Sequence, residues 1–149
     1  MRADMIARLM GLLGLALVLG ALGFQYIVHL APCEMCHWQR WPLIAAAAIG
    51  LVIVPLRRND AYILAAIAIA LVAISGGIGL YQTGMQLHIL PGPTACTAHR
   101  YVVGSGAAAP EIACDVPTWW FLGLALPAWN AIICLGSALV GTILLVKRK

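Results

Sequence analysis

The chain has 149 residues, 63% of them hydrophobic and 9% charged, with a net charge of +4. A soluble domain carries about 25% charged residues, so this composition excludes an ordinary water-soluble domain and indicates an integral membrane protein. The length excludes two sizeable domains, and no basic patch interleaved with exposed aromatics is present, so no nucleic-acid partner is expected.

A spanning helix needs about 20 apolar residues. The first candidate covers residues 5–30. Its charge-free stretch, residues 9–31, is longer than the roughly 7–15 residues of a signal peptide's apolar region, so it reads as a retained span. The run PCEMCHWQR follows, and residues 31–40 are expected to form a loop. Pro42 biases the residue before it away from the helix, and the second span is placed at residues 41–56, short unless it begins within the cysteine motif. The third span is residues 61–81. It leads into YQTGMQLHILPGPTAC, where the Pro91-Gly92-Pro93 turn is expected to break the helix and present Cys96 on an extended, accessible stretch. Residues 82–119 form the second long loop, with a Gly/Ala-rich, flexible stretch at 104–109. The fourth span is residues 120–146, and Pro127 suits its first regular turn, leaving the residues before it at the interface.

These elements predict an all-α fold: one polytopic membrane domain, a four-helix bundle with two cysteine-containing loops. Gly11, Gly14, Gly20 and Gly23 on the first span, and Gly76, Gly77 and Gly79 on the third, mark expected packing faces. Seven of the nine Lys/Arg (Arg2, Arg8, Arg57, Arg58, Lys147, Arg148 and Lys149) fall on one side of such a bundle. The positive-inside rule makes that side the cytoplasm, with both termini there. Arg40, Arg100 and the four loop cysteines fall on the opposite side, and all five tryptophans lie near that boundary, as aromatic belts do.

Those cysteines carry the only strongly redox-active side-chain chemistry in the chain. Four cysteines allow three pairings. The two-residue spacing of Cys33 and Cys36 favours a local pair, which leaves Cys96 and Cys114 for each other. Structural staples are the alternative, but the residues between Cys96 and Cys114 include few large apolar groups to protect. Thiolates are favoured by nearby cations and helix N-termini, and Arg40 follows Cys36 by four residues. Its bland alternative is a snorkelling interface anchor. Cys134 lies within the fourth span and reads as a small apolar filler.

Two further motif readings compete. Cys33-Glu34-Met35-Cys36-His37 matches C-x-x-C-H, the attachment signature of a c-type haem, with His37 as proximal ligand; a second axial ligand is not obvious, though Met35 and His99 exist. That reading leaves Cys96 and Cys114 unexplained. A zinc site normally shows two close pairs, and only one C-x-x-C occurs, so no metal is expected. His29 and His88 stand near helix ends, where an interface histidine is the simpler reading. A non-catalytic membrane subunit with braced loops is the third class of reading.

PCEMCHWQR with Cys33, Cys36 and Arg40, PGPTAC with Cys96, and the run from Cys114 through WWFLGLALPAWN together resemble the DsbB family of bacterial disulfide bond formation proteins, over essentially the whole chain. The resemblance implies an inner-membrane thiol–disulfide oxidoreductase whose cysteine loops face the periplasm. Such a protein reoxidises a periplasmic thioredoxin-fold dithiol oxidase of the DsbA type and passes two electrons to a membrane quinone, ubiquinone ahead of menaquinone. Cys96 would form the mixed disulfide with the partner, and Cys114 would be its pair and link transiently to Cys33. Quinone would re-form the Cys33–Cys36 disulfide, with Cys36 as thiolate facing the ring and Arg40 supporting that charge and the quinone oxygen. Family members often carry a histidine near the outer end of the third span; Gln82 occupies that place here.

Overall fold

The computed structural model describes residues 2–52, 58–93, 96 and 113–147. The described residues give four helices with defined bounds: α1, Ala3–Tyr26; α2, Glu34–Val52; α3, Arg58–Gln86; and α4, Leu126–Val146. A two-stranded hairpin, β1 Trp120–Phe121 and β2 Leu124–Ala125, precedes α4. The chain is an all-α membrane bundle. Ala3–Tyr26, Asp60–Gln86 and Leu126–Val146 are each long and apolar enough to cross a bilayer. α2 packs along α1 and α3 and, at 19 residues, is about 28 Å long.

The helix boundaries differ from the expected ones in three places, each with a local cause. α1 stops at Tyr26 rather than 30. Ile27 and Val28 N–H groups bond back to the Gly23 carbonyl and Leu30 N–H to that of Phe24, and His29 adopts a left-handed φ of 58°. α2 starts at Glu34, so residues 34–40 are helix rather than loop, and Pro42 lies inside it. α3 runs five residues past 81. It closes in a Schellman motif, with His88 (φ 56°) in the left-handed position, its N–H on Met85 O and that of Ile89 on Gly84 O. Gln82 and Gln86, expected in the loop, therefore sit on the last turns of α3. The stretch at 104–109, together with Arg57, Arg100, Arg148 and Lys149, lies outside the described residues.

Pro127 falls in the first turn of α4, where its missing N–H costs nothing. The hairpin ahead of it pairs Trp120 with Ala125 and Phe121 with Leu124, around Leu122 and Gly123, both at positive φ (50° and 79°). That is the primed turn whose twist suits a two-residue connection.

Helices associate in lipid through close packing of small residues rather than through a hydrophobic drive. α1 meets α2 where Gly11 faces Gly50: a Cβ on Gly11 would lie 2.5 Å from Gly50 Cα. α3 meets α4 where Gly76 and Gly79 press on Cys134, Leu135 and the Pro127 carbonyl. Gly20, Gly23 and Gly77 face open space instead, so the expected packing faces are only partly used. The apolar core between the helices centres on Ile6, Ala46, Ala65, Ala68, Val72 and Cys134, each 0% exposed.

Gly11→Val should cost about 1–3 kcal/mol, because backbone and not a flexible side chain blocks the added atoms. Thermal unfolding in detergent, followed by circular dichroism, should show the lowered midpoint, while Gly20→Ala should leave it unchanged.

Candidate functional site

Cys33 is the N-cap of α2. Its Sγ accepts the Cys36 N–H at 3.3 Å and its carbonyl accepts the His37 N–H at 3.3 Å. A sulfur thus fills the place usually held by a Ser, Thr or Asp oxygen. The same geometry puts Cys36 on the first turn of the helix, ahead of the apolar stretch that begins at Trp41. There the unpaired N–H groups and the helix dipole favour an anion. Both thiols are free.

Cys96 and Cys114 form a disulfide, with Cα atoms 5.1 Å apart and the Cys114 N–H on the Cys96 carbonyl at 3.2 Å. Both are buried, Cys96 at 4% exposed and Cys114 at 1%. This corrects the expectation of an accessible Cys96: it packs against Cys33, Met35, Met85 and Cys114 in one sulfur-rich cluster, with Cys36 and Ile78 against it. The two cysteine pairs, far apart in sequence, therefore share one end of the bundle.

Gln82 joins them. It is 2% exposed, and its Nε2 donates to Cys33 Sγ at 3.2 Å and to the Cys114 carbonyl at 3.4 Å. Gln39 Nε2 donates in turn to Gln82 Oε1 at 2.6 Å, Asn130 Nδ2 to Gln39 Oε1 at 2.8 Å, and Cys134 Sγ to Asn130 Oδ1 at 3.3 Å. Cys134 thus ends a buried polar chain as well as filling space. Sequence reasoning flagged Gln82 only as a departure from a family pattern and missed Gln39 and Asn130. Three polar amides within otherwise apolar helices were the available signal.

The electrostatics separate the two free thiols. Cys36 is held below the ordinary thiol range, chiefly because Cys33 donates its S–H to the Cys36 sulfur; a backbone hydrogen bond from Cys33, Gln82 and Arg40 act in the same direction against burial. Cys33 is pushed the opposite way, first by that same hydrogen bond, then by burial and by the negative charge on Cys36. One proton is shared unequally, and Cys36 is the sulfur that carries the charge.

Beside Cys36 lies a cavity of about 310 Å³ between α1, α2 and α4, lined mostly by apolar groups, among them Leu17, Phe24, Leu43 and Ile133. Arg40, Gln39, Asn130 and Thr118 are the polar residues in its lining. Gly20 and Ile133 on its wall are exposed, so it opens on the apolar flank of the bundle. Arg40 is half-buried: Nη1 donates to Gln25 Oε1 at 2.6 Å and Nη2 to the Ala21 carbonyl at 3.4 Å, while its Nε is buried with no partner. A guanidinium held this way is not a snorkelling anchor. Phe24, Trp119, Phe121 and Trp129 form a continuous aromatic row above the cavity, with ring centroids 4.9, 5.8 and 6.0 Å apart. The Trp129 indole also donates to the Phe121 carbonyl, tying the hairpin to α4.

The fold and these sulfurs define a membrane-embedded helical bundle built for thiol–disulfide chemistry. Residues 3–144 match the family described as Disulfide bond formation protein DsbB. The Disulfide bond formation protein B of Aromatoleum aromaticum is 34% identical, covering 93% of this chain and 86% of its own length. That of Dechloromonas aromatica is 30% identical over 93% and 90%, and that of Escherichia coli O1:K1 29% over 94% and 84%. The chain belongs to the DsbB family: it is a membrane oxidoreductase of disulfide bond formation.

A charge-carrying Cys36 reacts at lower pH than an ordinary thiol, because a lowered pKa leaves thiolate present where a normal thiol is protonated. Iodoacetamide labelling of Cys36 should therefore persist at pH 7. Cys33→Ala removes the S–H donor and raises the Cys36 pKa from about 6; a rise to about 8 takes the thiolate at pH 7 from about nine-tenths to about one-tenth, so labelling there should slow about tenfold. Cys33→Ser keeps a donor and a helix cap, so its labelling profile should stay closer to the parent's.

Proposed function

We propose that this chain is a quinone-dependent dithiol oxidoreductase of a bacterial inner membrane, reoxidising a periplasmic thioredoxin-fold dithiol oxidase of the DsbA type. The observation that carries the reading is the placement of two cysteine pairs in one cluster, with Cys36 opening onto an apolar cavity beside a buried, unpartnered Arg40 Nε. The clustering of Lys/Arg at the other end supports periplasmic cysteines and cytoplasmic termini.

The cavity suits a quinone on three counts: it is lined by apolar groups, it opens toward lipid, and it holds an orphaned cationic donor beside a thiolate-prone sulfur. Ubiquinone is the first candidate and menaquinone the second. A bound quinone supplies a two-electron, two-proton acceptor. Arg40 would hold it by donating Nε–H to an oxygen, and its charge favours the Cys36 thiolate.

The chain's own steps are thiolate exchanges. A thiolate of the partner attacks Cys96, and Cys114 leaves. The partner's second thiol then displaces Cys96, so partner disulfide and Cys96/Cys114 dithiol result. Cys114 thiolate attacks Cys33 of an oxidised Cys33–Cys36 pair, and Cys36 leaves as thiolate. Cys96 thiolate next attacks Cys114, which re-forms Cys96–Cys114 and releases Cys33 to take a proton. The buried Cys96 must be uncovered before the first attack.

The haem reading gains nothing from the fold. Cys33 turns into the sulfur cluster while His37 is exposed, so the motif's groups do not converge on one cavity.

Anaerobic mixing of reduced partner, this protein and a quinone analogue, followed by quinone absorbance, tests the reading. Cys36→Ser should abolish quinone reduction with the fold intact. Arg40→Met should raise the quinone KM by about tenfold or more, the scale of one lost charge-assisted hydrogen bond. Retained quinone reduction in Cys36→Ser would contradict the assignment.

A further inference from the structure

The buried amides beside the dithiol have a fixed direction. Amide oxygen and nitrogen are told apart by their partners. The Ser75 carbonyl only accepts, so the Asn130 atom 3.2 Å from it is the NH₂ group. That same nitrogen meets Gln39 at 2.8 Å, which sets Gln39 with its oxygen toward Asn130 and its NH₂ toward Gln82. Gln82 is thereby set with its NH₂ toward Cys33 Sγ and the Cys114 carbonyl. The Cys114 carbonyl also only accepts, so both ends of the chain demand the same orientation. Reversing any one amide would leave acceptors facing acceptors in an apolar interior, where each unpaired group is costly.

We propose that Gln82 is a catalytic residue of the exchange between the two cysteine pairs: its amide N–H donates to Cys33 Sγ as that sulfur takes the electron pair on leaving Cys114, and it holds the Cys114 backbone within reach. Gln39 and Asn130 are positioning residues that keep the amide from flipping. The proposal rests on the thiolate relay between the two pairs. In the assisted step the Cys33–Cys114 bond breaks and the Cys96–Cys114 bond forms. Cys96 gives up its negative charge, Cys33 gains it, and the proton Cys96 released earlier ends on Cys33. No outside oxidant enters. The donor is neutral, so it stabilises the charged leaving sulfur more than the disulfide, which is the condition for a rate effect. The hydrogen bond to Gln82 lowers the Cys33 pKa against the larger effects that raise it.

The test isolates the two sulfurs from quinone and partner. In a Cys36→Ala/Cys96→Ala chain the Cys33–Cys114 bond is first formed with an oxidant; a small thiol entering the space the Cys96 side chain leaves then attacks Cys114, Cys33 leaves, and the mixed disulfide on Cys114 identifies the route. Gln82→Met keeps the length of glutamine without its donor, whereas Gln82→His changes the shape and keeps an N–H. Release of Cys33 should slow about tenfold in Gln82→Met, the scale of a lost hydrogen bond to a charged group, and Gln82→His should recover most of it. A packing role predicts the reverse order, methionine near the parent rate and histidine slow. That order, or equal rates in all three, overturns the proposal.

Maleimide labelling of Cys134, buried in α4, reports whether each variant has folded. Should Gln82→Met expose Cys134, Gln39→Met becomes the deciding variant: it removes the donor that orients Gln82 and should also slow the release of Cys33, and an unchanged rate overturns the proposal. The relay itself is tested separately in the unsubstituted chain. If Cys96–Cys114 can be reduced by a soluble dithiol while an oxidised Cys33–Cys36 pair stays oxidised, the relay fails, whatever the Gln82 variants show.

Discussion

Polar groups buried among apolar helices must find partners, and this single demand organises the cysteine end of the bundle. Gln39 from α2, Gln82 from α3 and Asn130 from α4 are bonded to one another and to Ser75, Cys33 and Cys114. Leaving one such group unpaired costs about 1–3 kcal/mol, a large share of a marginal stability. The network therefore fixes how three helices meet, and with them the position of Cys33 relative to Cys114. The glycine contacts at Gly11, Gly50, Gly76 and Gly79 bring the backbones close enough for these short side chains to reach. Packing and site geometry are one constraint read at two depths of the membrane.

A sulfur as helix cap links local structure to reactivity. The Cys33 side chain takes the bond that a serine or aspartate would otherwise make, and in doing so it sits within hydrogen-bonding distance of Cys36. The proton stays on Cys33, and the helix N-terminus favours charge on Cys36. Two identical side chains three residues apart acquire different chemistry through position alone. The buried one faces the second cysteine pair, and the charge-carrying one faces the cavity.

Much of this was legible in the sequence, and the remainder was illegible for identifiable reasons. Apolar runs bounded by Arg2, Arg8, Lys147 and their neighbours announced a membrane bundle, and Pro127 marked the start of α4 correctly. The beginning of α2 was misplaced because the proline bias was allowed to outweigh the cap that Cys33 supplies, a type of cap that residue preferences do not anticipate. The extension of α3 to Gln86 was hidden because His88, not glycine, takes the left-handed terminal position. The four cysteines and Arg40 stood out as residue types. Gln39, Gln82 and Asn130 offered only the weaker signal of amides within apolar runs, since tertiary contact is what distinguishes a committed amide from one facing a headgroup. The burial of Cys96 was equally invisible, because it depends on Met35 and Met85 from two other elements.

That burial has a chemical consequence. Exchange requires a thiolate to approach the disulfide along the S–S axis, so a bond with both sulfurs almost fully covered is shielded from small thiols. Access must come from whatever uncovers Cys96, and binding energy from a docked protein surface is a suitable source where a diffusing small molecule has none. Cys33, in contrast, needs no such opening to meet Cys114, because Gln82 already contacts both residues. The geometry therefore separates a guarded outer step from an unguarded inner one. In the proposed relay, electrons entering through a partner would face less obstruction going inward than back out. Met35 and Met85 suit this arrangement: flexible thioether side chains fill the space around the sulfurs, adapt to the altered positions each exchange requires, and add no competing charge or proton.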